Sequence, residues 1–189
     1  MEPTVHEPAL DLPLGPEAAF VPAADEVQEA VLQLFDAHRD GVSRYVRSVG
    51  VADEDCEDIV QEVFLALFHH LARGRPRTNL RGWVFRVAHN LALRHRAREV
   101  RRRRVRFFPE WRCAADSPPS PEDRYLSEQV RTRLLTVANA LPVRDRRCLQ
   151  LRVEGLRYRE IAHVLGVSLG TVANTMARAL ARLRRAQEG

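Results

Sequence analysis

Asn and Arg carry the hydrogen-bonding groups that match adenine and guanine edges in a DNA major groove, and near the end of this chain they recur along one side of a helix. Thr171, Asn174, Arg178, Arg182 and Arg185 fall on one stripe, while Val172, Met176, Leu180 and Leu183 fall on the opposite one. Ser168 and Thr171 add hydroxyls at the start of that helix, where free backbone N–H groups suit a phosphate. A second polar stripe, Trp83, Arg86, Asn90, Arg94 and Arg101, advances in steps of three, four or seven residues. A third group is acidic: Asp53, Asp55, Asp58 and Glu62, of which Asp58 and Glu62 share a helix face. Such carboxylates would suit divalent-metal cleavage of a phosphodiester. No His or further carboxylate completes a metal site near the basic segment, however, and acids in a first helical turn complement the helix dipole. Neither an enzyme, a metal nor a cofactor is therefore expected. Cys56, Cys113 and Cys148 are isolated thiols without C-x-x-C or zinc-finger spacing.

Charge points to a polyanion. All 30 basic residues are Arg, and the net charge of +5 hides a segregation of sign. Residues 1–30 hold seven acids and no Arg, whereas residues 71–106 hold thirteen Arg against the single Glu99. Such a density is the electrostatic footprint of a nucleic-acid partner. The apolar runs are short and interrupted, the start of the chain shows no signal peptide, and the expected setting is the cytoplasm, with no membrane partner.

The elements that must position these residues read as helices throughout. Residues 1–23, with Pro3, Pro8, Pro13, Pro16 and Pro22 among acids, predict a disordered tail. From Asp25 to Val49 the apolar positions recur at helical spacing, and Gly50 ends the segment. A second helix follows from Asp53 to about Arg73, with Ile59, Val63, Phe64, Leu67 and Leu71 inward. After the loop Gly74–Asn79 comes a third, from about Leu80 to Arg104, with Val84, Val87, Ala88 and Leu91 inward. Residues 24–106 thus form one small domain, and the Pro-rich stretch 107–121 reads as a flexible linker. Residues 122–189 form a second. There Leu126, Val130, Leu134, Val137 and Leu141 mark a helix, and Pro142 opens the first turn of another that ends before Gly155. Tyr158 to Val172 then spells a short helix, a tight turn and a longer helix. Ala162 is small where helices cross, Gly166 can take a positive φ, and Ser168 caps the second helix. The fold class is all-α, two small helical domains joined by a linker.

Four motifs in order then carry a resemblance. Asp58-Ile59-Val60-Gln61-Glu62-Val63-Phe64, Arg81-Gly82-Trp83-Val84-Phe85-Arg86-Val87-Ala88-His89-Asn90, Leu141-Pro142, and Tyr158-Arg159-Glu160-Ile161-Ala162 with Gly170-Thr171-Val172 resemble the bacterial extracytoplasmic-function sigma factors, across residues 25–187. The resemblance implies a promoter-specificity subunit of RNA polymerase without an active site. It implies that Asp58, Gln61, Glu62 and Leu65 dock on the clamp helices of the largest subunit, with the flap as a further polymerase contact. It assigns Asn79, Arg81, Trp83, Arg86, Asn90 and Arg94 to the minus-ten promoter element, where a base leaves the stack and Arg side chains hold the backbone. An indole at position 83 would equally staple the loop to the core. Arg157, Tyr158, Arg159, Ser168, Thr171, Asn174, Arg178 and Arg182 would serve the minus-thirty-five element.

The chain departs from the family pattern after Val172. A Lys or Arg, a Ser and another Arg are usual there, and Ala173, Asn174 and Thr175 stand instead. Many relatives are held by an anti-sigma protein between the two domains, and the linker permits such clasping. Two other classes compete: a helix-turn-helix regulator acting without polymerase, which leaves the first domain without a role, and the metal-dependent nuclease above.

Overall fold

The structure, a computed structural model, describes residues 24–103 and 121–188. The expected acidic tail and nearly all of the expected linker, with Cys113, lie outside the described residues. Seven helices follow in order: α1 (Ala24–Val49), α2 (Asp53–Ala72), α3 (Leu80–Arg103), α4 (Pro121–Asn139), α5 (Val143–Val153), α6 (Tyr158–Leu165) and α7 (Leu169–Glu188). No strand occurs among the described residues, and no single helix there is long and apolar enough to cross a membrane.

Helices α1, α2 and α3 pack on one another around Val42, Val46, Val49, Val60, Val63, Leu67, Val84 and Ala88, all buried. The heptad-like recurrence of these positions is what makes each segment a helix with one apolar face, since helical stability comes mainly from burying such a face. Phe35 meets Phe64 edge-on at 4.9 Å. The acids opening α2 have structural partners: Arg47 donates to Asp53 at 2.7 Å, and His95 of α3 lies 3.1 Å from Asp55. Among the described residues no group of three His, Cys or carboxylates is arranged to hold a metal ion.

In the second bundle α4, α5 and α6 all pack on α7, around Leu151, Leu156, Ile161, Val164, Val172, Met176 and Ala179. Pro142 stands one residue ahead of α5, as its N-cap, with Leu141 buried beside it. Gly166 takes φ 65°, the left-handed conformation that ends α6 and that side chains with a Cβ disfavour. The backbone N–H of Thr171 donates to Ser168 Oγ at 3.1 Å, capping α7 as its sequence suggested. Leu180, expected inward, remains 37% exposed, because the buried face of α7 runs along Val172, Thr175, Met176 and Ala179.

The two bundles also touch. Helix α6 lies against α3 and α5 against α1, and a single buried apolar cluster spans both.

Candidate nucleic-acid interface

Helix α7 is presented as the outer helix of a helix-turn-helix. Ser168, Asn174, Arg178 and Arg182 are exposed and Thr171 half-buried. The side chains are not equally free. Ser168 Oγ and Thr171 Oγ1 lie 2.8 Å apart and share a hydrogen bond. Arg178 Nη2 lies 3.7 Å from Asp145 Oδ1, and the Asp145 side chain is only 7% exposed. Thr175, standing where a cation is usual, is buried at 1% exposure. Position 175 therefore faces the interior rather than solvent, and an uncharged side chain suits that place. At the start of α6, the N-cap Arg157 and Arg159 are exposed and Tyr158 is half-buried, with the Arg152 guanidinium 5.8 Å from its ring centre.

The α3 surface is divided. Asn90 and Arg94 are exposed. Asn79 is exposed as well, but it adopts φ 54° and its Oδ1 accepts the Gly82 N–H at 3.2 Å, so its side chain caps α3. A Cβ at position 82 would come within 2.6 Å of that amide, which explains Gly82. Trp83, expected on the outward stripe, is half-buried instead: it packs on the core and stacks at 4.6 Å on His70, stapling the Gly74–Asn79 loop. Arg81 is half-buried and donates to the main-chain carbonyl of Glu154 in the other bundle. Arg86 is turned toward α6, its Nη1 2.7 Å from His163 Nε2.

On α2, Asp58, Gln61, Glu62 and Leu65 are all exposed and lie on one face at i, i+3, i+4 and i+7. Leu65, at 57% exposure, is an apolar centre ringed by acceptors.

The contact between the bundles is built on residues that sequence reasoning passed over. The Glu154 side chain, 5% exposed, accepts from Arg44 Nε at 3.0 Å and Nη2 at 2.8 Å, and from Gln150 Nε2 at 2.9 Å. Gly41, midway along α1, and Gly155, at φ 84°, lie where a Cβ would meet Glu154 and Arg81 within 2.7 Å and 2.6 Å. A glycine inside a helix, which costs about 1 kcal/mol against Ala, was the available signal of such an approach. Below this pair Tyr45 is buried, with its hydroxyl 2.8 Å from His89 Nδ1. Burial, and then the Arg147 charge, push the His89 pKa down to about 4. Burial likewise raises the Cys148 thiol to about 11, so it is held as the unreactive thiol. The buried Nε atoms of Arg81 and Arg147 have no hydrogen-bond acceptor in the described residues.

The fold and these surfaces define a two-domain, all-helical DNA-binding protein, with a helix-turn-helix in the second domain and an arginine-rich helix in the first. Comparison with known proteins sharpens this. Residues 34–102 match the family model for sigma-70 region 2, and residues 131–183 that for sigma-70, region 4. The chain is 31% identical over 175 residues to the RNA polymerase sigma factor NccH of Alcaligenes xylosoxydans xylosoxydans, spanning 88% of this chain and 91% of that one. It is 32% identical over 169 residues to the ECF RNA polymerase sigma factor SigE of Mycolicibacterium smegmatis, spanning 89% of this chain but 63% of that relative's length. The sigma factor RpoE of Bartonella quintana, solved in complex with the anti-sigma factor NepR, shares the fold with a TM-score of 0.61 at 20% identity, covering 87% of this chain and 98% of that one. The chain belongs to the ECF sigma factors of RNA polymerase, within the sigma-70 family.

Proposed function

We propose that the two bundles divide promoter recognition between them: residues 24–106 bind core RNA polymerase and the minus-ten element, and residues 122–189 read the minus-thirty-five element. Asp58, Gln61, Glu62 and Leu65 dock on the clamp helices of the largest subunit, the acids meeting basic residues around the apolar contact of Leu65. Asn90, Arg94 and Arg86 hold the opened minus-ten strand, with Asn79, Arg81 and Trp83 shaping the loop and helix beside it. Arg157, Arg159, Ser168, Thr171, Asn174, Arg178 and Arg182 engage the upstream duplex, and the second domain meets the polymerase flap. The protein performs no covalent chemistry; it supplies specificity and binds the opened strand, and it works in the cytoplasm.

One observation carries this reading. The two family matches fall on the two bundles in chain order, and each bundle shows an exposed polar face of the chemistry its task needs. A stand-alone regulator would give the α2 face no role. Arg86 is exposed but hydrogen-bonded to His163 of α6, so it gives up that contact when it meets the opened strand. An anti-sigma protein would hold the bundles in a non-productive arrangement, as one partner of this family's solved complexes is named.

Promoter-directed transcription with purified core polymerase tests it. A library of upstream DNA should give discrete starts that require this protein and share two spaced motifs. Recognition of the same motifs by the protein alone, with no effect of core polymerase, would favour the stand-alone regulator instead.

A further inference from the structure

The first three turns of α7 carry five polar side chains that a duplex could meet, counting Ser168 ahead of the helix, and four of them are already engaged or turned away. Ser168 and Thr171 bond each other at 2.8 Å. Thr175 is 1% exposed. Arg178 leans back on its own helix and across to α5, 3.4 Å from Thr175 Oγ1 and 3.7 Å from Asp145 Oδ1. If Arg178 left for a base, the buried Asp145 carboxylate would lose that cation, and an unpaired buried charge is costly. Asn174 is the fifth. It is exposed, lies on the side of α7 away from Val172, Met176 and Ala179, and its side chain makes no hydrogen bond among the described residues.

The carboxamide of Asn174 presents one acceptor and one donor in a plane, the arrangement that pairs with N6 and N7 of adenine; guanine, with two acceptors there, selects Arg or Lys. Asn is a short side chain, so it reaches a base only if the helix backbone comes close. Ala173 and Ala177, both exposed on either side of it, leave room for that approach. Cations return only with Arg182, Arg184 and Arg185, further along the helix, where phosphate contact is the suitable role.

Resting on the sigma-factor reading above, we propose that Asn174 is the specificity-determining residue of α7, and that it selects adenine at one position of the minus-thirty-five element. Within residues 169–178 the one cation is Arg178, and it stands beside Asp145, so adenine rather than guanine is the base that the start of α7 suits.

The experiment is transcription by reconstituted holoenzyme from a promoter whose upstream hexamer is randomised, sequencing the transcribed templates for the wild type, Asn174→Ala and Asn174→Arg. The wild type should prefer A at one upstream position by roughly 5- to 150-fold, the range one bidentate base contact supplies. Asn174→Ala should flatten that position and leave the others unchanged, and Asn174→Arg should exchange A for G at the same position. An unchanged A preference in both variants overturns the assignment. So does a uniform loss across all templates in Asn174→Ala, which would mark a phosphate contact. If the wild type gives no protein-dependent start on any template, the sigma-factor reading itself falls and takes this one with it.

Discussion

Replacing Glu154 by Gln removes one charge from the contact between the bundles while keeping its shape. Arg44 donates twice to this carboxylate, at 3.0 Å and 2.8 Å, from a side chain that is itself 43% exposed. A hydrogen bond to a charged group contributes about 1.5–3 kcal/mol, but so open a partner regains water when released, and Gln still accepts one bond. The net loss is about 1–2 kcal/mol, which shifts the closed-to-open ratio by roughly 5- to 30-fold. Energy transfer between dyes at the exposed positions Gln28 and Arg184, with the native cysteines replaced, reads that ratio directly. Glu154→Gln should raise the open population, and Arg44→Met should do the same in the wild type yet add little in the Glu154→Gln background, since the two changes break one pair. An unchanged transfer distribution, or fully additive effects, would refute the view that this ion pair holds the bundles together.

Three further outcomes are expected. His89 has a depressed pKa in the fold, about 4, against about 6.5 unfolded; the unfolded chain therefore takes up its proton first as pH falls, and up to about 3 kcal/mol of stability disappears between pH 6.5 and 4. His89→Gln, which can still bond Tyr45 but cannot titrate, should lessen that slope in urea midpoints taken across the range, and an identical slope would exclude His89 as its source. Asp58→Arg should abolish co-elution with core polymerase while leaving the melting temperature within about 2 °C, because the side chain is exposed; retained co-elution would remove the docking role from this face. Gly166→Ala should cost about 1 kcal/mol in denaturant unfolding, from backbone conformation alone, since a Cβ there meets nothing within 4 Å, and Gly166→Asn should cost less; equal penalties would point to packing instead.

What could be read from the sequence was whatever has a period or a local rule. The helix limits, the Gly166 turn and the Ser168 cap follow from spacing and residue type, and the structure places each of them as expected. The exposed α2 face was equally legible, because a run of i, i+3, i+4 positions opposite an apolar stripe has only one place to go. Trp83 and Arg81 were less so. Trp83 shares a helical face with Asn90 and Arg94, and spacing cannot say that it stacks on His70, nor that Arg81, on the other side of α3, reaches a carbonyl of the second bundle. Position 175 shows the same limit: a family pattern says that a cation is replaced by Thr, but only the packing of α7 shows that the position is buried. Contacts between residues more than a hundred positions apart, such as Arg44 with Glu154, leave no periodic trace at all.

The closed contact is held against an opposing charge. Burial first, and then the like charge of Arg96 from α3, depress the guanidinium pKa values of Arg146 and Arg147 on α5. Elsewhere in the contact the Glu154 carboxylate accepts from Arg44, and its main-chain carbonyl accepts from Arg81. Such a balance suits a protein that must open: a polyanion that engages the arginines of either bundle gains their attraction to phosphate and relieves their mutual repulsion at once. Promoter DNA is therefore expected to loosen this contact through charge, with Asn174 and the α3 stripe proposed to add sequence to it.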